Sequence, residues 1–340
     1  MTTRIPCVSA ASVLRLTLVA LAAFFVSIPA NAGAVTAELR VLTPDAVLDP
    51  GTNYVIDDSI TVPTRGDADC FGPPGGSGAQ YPFTDPVALG LLASGARATG
   101  SLRPLGVSDQ FGFGLVICTI GGIEAQTGSF WYLKSNHVEA GVGADQLEVA
   151  EGDEVLFYLA PDNFPDPNPV ELELIAPART AGGAPFAVSV IQHACVTDSN
   201  PPFATNCQSK PAGGVTVSGG TSAATTASDG TAMITPGSSP RDTLVATRGT
   251  DIPSKALRVC VNGELSACPS VRGERFVGSP DADKIVATKG ADSIRARGGD
   301  DNVRVAGGFA DKVDCGPGDD KAIVDAADKV SRDCEKVKTK

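Results

Sequence analysis

The chain has 340 residues, with 39 acidic and 27 basic side chains, a net charge of −12 and two histidines. This length fits two or three domains, and a hydrophobic fraction of 42% is enough for packed cores. The acidic balance argues against a general nucleic-acid-binding protein, which needs a basic face. The 38 glycines and 25 prolines favour strands and turns over helices.

The first 32 residues have the pattern of a secretory signal peptide. Arg4 and Arg15 supply positive charge, residues 16–28 are an apolar run, and Ala30-Asn-Ala32 offers small residues before a cleavage site. The alternative is a membrane anchor, but such a short run does not span a hydrocarbon core of about 30 Å. We therefore expect residues 1–32 to be removed. The remaining chain is predicted to be secreted and extracellular, with no integral membrane segment.

Export changes the interpretation of the nine cysteines. Cys7 leaves with the signal peptide, and the eight that remain lie in a compartment that permits disulfides. Eight cysteines allow 105 pairings, so the sequence leaves the connectivity open. Their order along the chain favours local pairs. These pairs are Cys70 with Cys118, Cys195 with Cys207, Cys260 with Cys268, and Cys315 with Cys334.

The first predicted domain covers residues 33–177 and carries the acidic excess, with a net charge of −15 over residues 33–178. Alternating polarity over residues 35–42 predicts a half-buried strand. Residues 86–94 are predicted as a helix, with Asp85 as its N-cap. Further strands are predicted at residues 114–120, 130–134, 146–149 and 154–159.

A series of short motifs in this domain carries a family resemblance. The motifs are Ile120-Gly-Gly-Ile123, Trp131-Tyr132, Lys134-Ser-Asn136, Gly141-Val-Gly-Ala144 and Glu151-Gly-Asp-Glu-Val-Leu-Phe-Tyr158. Their order and spacing resemble the transcobalamin C-terminal-like domain of many bacterial surface proteins. The resemblance implies a small β-grasp-like α+β fold with one helix. Since a domain of this type helps to cover cobalamin in vertebrate carriers, it also implies a cobalamin-like ligand as one alternative.

Three side chains in these motifs are candidate ligand-binding residues: Trp131, Tyr132 and Asn136. Consecutive aromatic residues on a strand face alternate sides, so at least one of them packs into the core. The structural alternative is that Trp131 simply anchors the core of a small domain. The functional alternative is that the aromatic side chains form the wall of a small-molecule or surface-ligand site.

The second predicted domain covers residues 178–270. Short β segments at residues 187–191, 214–218, 231–235, 243–247 and 256–261 predict an antiparallel sandwich. The segment Thr226-Ala-Ser-Asp-Gly-Thr-Ala-Met-Ile234 resembles a turn of bacterial Ig-like and carboxypeptidase-regulatory-like modules, which are mostly spacers. Asp229-Gly230 is interpreted as a hairpin turn. His193, without a partner pattern, is interpreted as a surface residue.

The third predicted domain covers residues 271–340 and contains a repeat. An Asp recurs in steps of nine or ten residues, and an apolar residue follows it two positions later. This period predicts a parallel β-roll, and it resembles the hemolysin-type (RTX) nonapeptide repeat. The resemblance implies Ca²⁺ bound by carboxylate and carbonyl oxygens. The implied ligands are Asp283, Asp292, Asp301, Asp311 and Asp320.

The repeat departs from the RTX consensus. Gly278 alone can stand for the first consensus glycine, an extra residue precedes Asp311, and nine basic residues accompany twelve Asp over residues 278–334. The alternative is therefore a β-solenoid cap that binds little or no calcium. In that alternative the Cys315–Cys334 pair replaces the ion as a staple.

No motif of a known catalytic class is present: the sequence lacks a Gly-x-Ser-x-Gly elbow, a His-Glu-x-x-His pair and a Walker loop. His137 and His193 fall in different predicted domains, so no joint site is expected. We therefore predict a mainly β, multi-domain protein that is not an enzyme. Its expected role is that of an exported binding or surface protein whose partner is calcium. The alternatives are small-molecule capture by the first domain and a hydrolase with an unrecognised site.

Overall fold

The computed structural model is mainly β with a single α-helix among its described residues, as the composition predicts. It describes residues 35–57, 59–112, 114–126, 128–161, 169–180, 184–197, 205–238, 241–261, 273–305, 307 and 309–340. The predicted signal peptide and Cys7 lie outside these residues. Within the described part, no helix is long and apolar enough to cross a membrane. Residues Gly33–Lys340 form one compact unit, and the predicted domain boundaries stay a prediction.

The N-terminal part, residues 35–161, contains a mixed sheet with the helix packed on one face. Strand β1 lies in the middle of this sheet, antiparallel to β2 and parallel to β10. The elements are β1 (Thr36–Leu42), β2 (Val47–Val55), β3 (Ile60–Pro63), β4 (Gln80–Phe83), α1 (Ala88–Ala98), β5 (Leu105–Ser108), β6 (Val116–Ile120), β7 (Ile123–Glu124), β8 (Ser129–Ser135), β9 (Val138–Glu139) and β10 (Glu154–Pro161).

Strand β1 is buried along its whole length, whereas its alternating sequence predicts a half-buried strand. Its apolar side chains, such as Leu39, join the core beneath α1. The other face carries Glu38 and Arg40, which are covered by the next part of the chain through Lys255 and the carbonyl of Pro253. The prediction was wrong because a polar strand face can be buried when other charged groups pair with it.

The helix also differs from its prediction. It begins at Ala88 after Val87, and no side chain caps it, so the prediction of Asp85 as N-cap was wrong. Its first backbone amides are instead satisfied by the loop that follows β9. Ala88 donates to the carbonyl of Leu147 at 2.9 Å, and Leu89 donates to that of Ala144 at 2.8 Å. The same loop replaces the strand predicted at residues 146–149, which is reduced to one isolated bridge between Val87 and Glu148.

The middle part, residues 169–261, consists of antiparallel strands in two four-stranded sheets that share one apolar core. The Asp229-Gly230 turn joins strands of different sheets and is therefore not the predicted hairpin turn, although Gly230 has the expected positive φ of 78°. The elements are β11 (Glu171–Ile175), β12 (Phe186–Thr197), β13 (Thr205–Pro211), β14 (Thr216–Ser218), β15 (Ala224–Thr225), β16 (Thr231–Ile234), β17 (Arg241–Thr247) and β18 (Leu257–Cys260).

The C-terminal part, residues 273–340, is a parallel β-roll, as the nine-residue period predicts. Short strands alternate between two parallel sheets, and the apolar residue of each repeat is buried between them. The strands are β19 (Arg275–Val277), β20 (Lys284–Val286), β21 (Ser293–Arg295), β22 (Asn302–Arg304), β23 (Lys312–Asp314), β24 (Lys321–Val324), β25 (Lys329–Val330) and β26 (Lys336–Thr339).

One sheet runs without a break from the roll into the N-terminal part. Its strand order is β25-β23-β21-β19-β2-β1-β10-β8-β9. The junction is the parallel pair β19 and β2, in which Phe276 lies opposite Asn53 and Val277 opposite Tyr54. Val55 of β2 packs with the core of the roll. The roll therefore covers an edge that β2 would otherwise expose.

Three of the four predicted disulfides are present among the described residues. They link the N-terminal part, the β12–β13 pair and the last turns of the roll. The fourth predicted disulfide joins Cys260 and Cys268. Cys260 is disulfide-bonded, and Cys268 lies outside the described residues. The three described bonds are Cys70–Cys118, Cys195–Cys207 and Cys315–Cys334.

Candidate functional site

The five predicted calcium ligands are buried and form two ladders, one along each side of the roll. In each ladder, a backbone amide donates to the carboxylate one full coil further along the chain. The amide of Asp283 donates to Asp301 at 2.8 Å, and that of Asp301 donates to Asp320 at 2.7 Å. On the opposite side, the amide of Asp292 donates to Asp311 at 2.6 Å. The repeat thus places Asp side chains of successive coils beside one another.

The two earlier turns satisfy their carboxylates with hydroxyl groups of the chain. The Thr288 hydroxyl donates to both oxygens of Asp292, at 2.8 and 2.9 Å. Ser279 donates to both oxygens of Asp283, through its amide at 2.7 Å and its hydroxyl at 2.9 Å. These are turns in which Ser or Thr stands in place of a consensus glycine. Asp283 and Asp292 therefore have their bonding capacity partly filled without an ion.

Asp301 and Asp320 lie next to each other on one ladder and are the best candidates to hold a cation. One oxygen of each accepts a backbone amide, but Oδ2 of each is buried without a hydrogen-bond partner among the described residues. A buried carboxylate oxygen without a partner is costly unless a proton or a cation is present. Two such oxygens on adjacent coils fit a hard divalent cation such as Ca²⁺.

Glycines let the two coils that carry these carboxylates stack closely. A Cβ on Gly316 would lie 1.6 Å from the carbonyl oxygen of Arg297, and one on Gly318 would lie 1.9 Å from that of Gly299. The coils therefore approach through bare backbone at these turns. A Cβ on Gly318 would also lie 3.0 Å from Oδ1 of Asp320, so the carbonyl oxygen of Gly299 lies near this carboxylate. Carbonyl and carboxylate oxygens are the ligands that calcium uses.

Burial raises the pKa of three ladder carboxylates. Burial, together with the charges of Asp283, Asp320 and Asp300, raises the pKa of Asp301 to about 7. Burial likewise raises the pKa of Asp283 to about 6 and that of Asp311 to about 6. A bound cation would favour the charged form of each group and reverse these shifts.

Residues 277–309 match the family model of the RTX calcium-binding nonapeptide repeat. Residues 277–309 thus carry RTX calcium-binding repeats, and Ca²⁺ is the ion that repeats of this family bind. Residues 107–160 match a second family, a domain of unknown function called DUF4430. No curated protein and no solved structure matches the chain. The match to the RTX repeat includes Asp283, Asp292 and Asp301, and the ladder extends beyond it to Asp311 and Asp320.

The candidate ligand-binding residues of the N-terminal part have different surroundings from one another. Trp131 and Tyr132 line a cavity of about 480 Å³, together with apolar side chains that include Phe71 and Phe157. Trp131 is also a core residue, 8% exposed, and its indole nitrogen donates to the carbonyl of Cys118 at 3.3 Å. Trp131 therefore both anchors the core and forms part of the cavity wall.

Asn136 does not line this cavity. Its amide donates to Asp153 at 2.8 Å, and its side-chain oxygen accepts the backbone amide of Glu154 at 3.0 Å. These bonds hold the β8–β9 turn against the turn that precedes β10. The structure thus separates Asn136 from Trp131 and Tyr132 and gives it a positioning role in the backbone.

A buried ionic cluster that no sequence motif indicates lies where the N-terminal and middle parts meet. Glu171 is at its centre, with Oε1 2.9 Å from Arg40 and Oε2 2.8 Å from Lys134. All three side chains are no more than 3% exposed. Although burial alone would raise the pKa of Glu171, hydrogen bonding to His137 and the charges of Lys134 and Arg40 hold that pKa far below its usual range.

The two histidines of the chain meet beside this cluster, so the interpretation of His193 as a surface residue was wrong. Their rings stack with centroids 4.1 Å apart and planes 8° from parallel. Burial lowers the pKa of His193, and the charge of His137 lowers it further. Burial also opposes the charged form of His137, but Glu171 outweighs it and raises the pKa of His137. Local patterns around each histidine carry no sign of the other, because they lie 56 residues apart.

Proposed function

We propose that this protein is an exported, non-catalytic binding or surface protein whose C-terminal roll is stabilised by calcium. The observation that carries the proposal is the pair of buried Oδ2 atoms of Asp301 and Asp320 on adjacent coils, which have no hydrogen-bond partner among the described residues. A cation there removes the repulsion between the stacked carboxylates, so that binding and folding of the roll are coupled. The match to RTX repeats supports calcium as that cation.

Export is the part of this proposal that rests on the sequence. The apolar run at residues 16–28 and the small residues Ala30 and Ala32 support a removable signal peptide. The disulfides support an oxidising compartment outside the cytosol. The mass of the secreted, non-reduced protein tests the removal of the signal peptide and the formation of the disulfides together. We expect a chain that begins at Gly33 and is lighter by the hydrogens of four disulfides.

The effect of calcium on unfolding tests the coupling between calcium binding and folding of the roll. With the chain from Gly33 onward, we expect millimolar Ca²⁺ to raise the free energy of unfolding by about 1–3 kcal/mol, given an affinity of about 10⁻⁴–10⁻³ M as in extracellular modules. The measurement is thermal unfolding followed by circular dichroism, in chelator and in Ca²⁺. Mg²⁺ at the same concentration is the control, since it retains its water and fits such sites poorly. An unchanged melting temperature in Ca²⁺ rejects the proposal.

A second candidate function is capture of a small molecule by the N-terminal part. The cavity beside Trp131 favours it, because its volume and apolar lining fit a small ligand with an aromatic or aliphatic body. Cobalamin itself is the first probe, since the resemblance of this part to transcobalamin-like domains suggests it. We expect quenching of the single tryptophan on binding. Absence of both quenching and a change in the corrinoid spectrum excludes cobalamin.

A further inference from the structure

The stacked histidines belong to a compact group of metal-ligating side chains. His137, His193 and Glu173 each offer one ligand atom, and these three atoms lie within 4.8 Å of one another. Nε2 of His193 is already 3.0 Å from Oε2 of Glu173. Two imidazole nitrogens and one carboxylate oxygen form a donor set that suits zinc and similar ions and differs from the all-oxygen set of calcium.

The other nitrogen of each imidazole is held in place, as in metal sites with an oriented outer shell. Nδ1 of His193 is 2.8 Å from the hydroxyl of Ser209, and Nδ1 of His137 is 3.0 Å from Oε1 of Glu171. The Ser209 contact orients the ring of His193 and leaves its Nε2 facing Glu173. Ligating histidines commonly have such a second partner, which also makes them better donors.

The charge around the group favours a cation. Three carboxylates, Glu154, Glu171 and Glu173, lie near the histidines, and two cationic side chains, Arg40 and Lys134, pair with two of these. With both imidazoles neutral, one negative charge is left over. Glu171 is engaged by Arg40 and Lys134, whereas Glu173 is 37% exposed and contacts His193.

The backbone presents His137 in an unusual way. Asn136 and His137 form the two-residue turn between β8 and β9, and both have positive φ, of 50° and 68°. This turn type prefers Asn followed by Gly. A histidine therefore occupies a position that favours glycine, and its side chain is directed to the junction with β11 and β12. Cross-strand pairing places His193 directly opposite Glu171, with Glu173 two residues along the same strand.

We propose that His137, His193 and Glu173 bind one Zn²⁺-like divalent ion at the junction of the N-terminal and middle parts, with the fourth position open to water or an external ligand. The parallel rings must tilt toward each other on binding, because the lone pairs of stacked imidazoles do not converge. His137 has room for this movement, since its side chain is 27% exposed. The ion would tie the β8–β9 turn to β11 and β12.

The test is a Zn²⁺ titration of the chain from Gly33 onward, prepared without a histidine tag and kept in saturating Ca²⁺ so that the roll stays loaded. We expect one equivalent of Zn²⁺ to bind, and Co²⁺ in its place to give the intense visible absorption of a four-coordinate site. His193→Gln and Glu173→Gln should each weaken Zn²⁺ binding by about 100-fold or more, and Ser209→Ala by about 10-fold. His137→Asn should have the same effect as His193→Gln while preserving the turn, because Asn tolerates positive φ.

Glu124→Gln is the matched control, since Glu124 is an exposed carboxylate of the N-terminal part, and it should bind Zn²⁺ as the unaltered chain does. Circular dichroism in the absence of Zn²⁺ shows that each variant is folded. The proposal is overturned if the two histidine variants retain the affinity of the unaltered chain, or if bound Co²⁺ gives only the weak spectrum of six oxygen ligands. Either outcome leaves the calcium proposal intact, since none of these residues lies in the roll.

Discussion

At the scale of the residue, burial of charge decides which side chains have a special role in this protein. Glu171 is 1% exposed and faces Arg40 and Lys134, which are buried to the same degree. Asp301 and Asp320 are equally buried, but each retains an oxygen that no described group satisfies. The charge of Glu171 is neutralised by side chains of the chain itself, whereas the charges of Asp301 and Asp320 can be neutralised by a bound cation.

Removal of the charge of Glu171 should destabilise the junction strongly. Glu171→Gln leaves the buried Lys134 without its counter-ion and leaves Arg40 with Glu154 alone, so we expect the free energy of unfolding to fall by about 3–5 kcal/mol. Urea unfolding in saturating Ca²⁺ measures this loss. Asp67→Asn is the control, because it removes a carboxylate from an exposed pair with Arg65 and should leave the midpoint unchanged. Equal midpoints for the two variants would contradict the role of the cluster.

The raised pKa of Asp301 predicts a pH dependence in the absence of calcium. Its pKa lies at about 7 in the folded chain against a usual value of 3.8, so the folded state holds the proton more tightly than the unfolded state. The stabilisation is therefore complete below the usual pKa and is lost as the pH rises through about 7. In chelator, the unaltered chain should lose more stability between pH 5 and pH 8 than Asp301→Asn does. Parallel profiles for the two chains would show that this carboxylate is not buried in the apo roll.

At the scale of the element, the close stacking of coils depends on Gly318 and not on Gly298. A Cβ at Gly318 would lie 1.9 Å from the carbonyl oxygen of Gly299, whereas one at Gly298 would make its nearest contact at 3.5 Å. Neither glycine has a positive φ, so the two positions differ in space and not in backbone strain. They form a matched pair for testing how the roll packs.

Gly318→Ala should separate the coils that carry Asp301 and Asp320. We expect a lower melting temperature in chelator and a weaker stabilisation by Ca²⁺, because the two carboxylates no longer lie side by side. Gly298→Ala should behave as the unaltered chain in both conditions. Thermal unfolding at several Ca²⁺ concentrations separates the two effects. A Gly318→Ala variant with a normal response to Ca²⁺ would place the ion elsewhere.

The elements that the sequence predicts well are those whose signal is local and repeated. The recurrence of Asp followed by an apolar residue predicts both the roll and its buried positions, because each coil repeats the same contacts. The helix start was missed because its amides bond to Ala144 and Leu147, far along the chain. The alternating sequence of β1 predicts an exposed polar face, because periodicity shows which residues share a face and not what covers that face.

At the scale of the whole molecule, the parts of the chain are joined more closely than their sequence patterns indicate. The roll continues the N-terminal sheet through β19 and β2, and Asn53 of β2 donates to Glu274 at 2.9 Å. The middle part covers β1 through Lys255 and Pro253. These contacts, like the stacking of His137 on His193, connect distant positions, and a single sequence holds no direct signal for them.

The proposed calcium ion binds between the coils that carry Asp301 and Asp320. Isothermal titration of Ca²⁺ into the chain from Gly33 onward tests it most directly, with Asp301→Asn and Asp320→Asn compared with Asp300→Asn, an exposed neighbour of equal charge. We predict saturable binding with Kd of about 10⁻⁴–10⁻³ M for the unaltered chain and for Asp300→Asn, and a loss of about 10-fold or more in the other two variants. Absence of saturable binding, or equal affinities in all four proteins, would contradict the account.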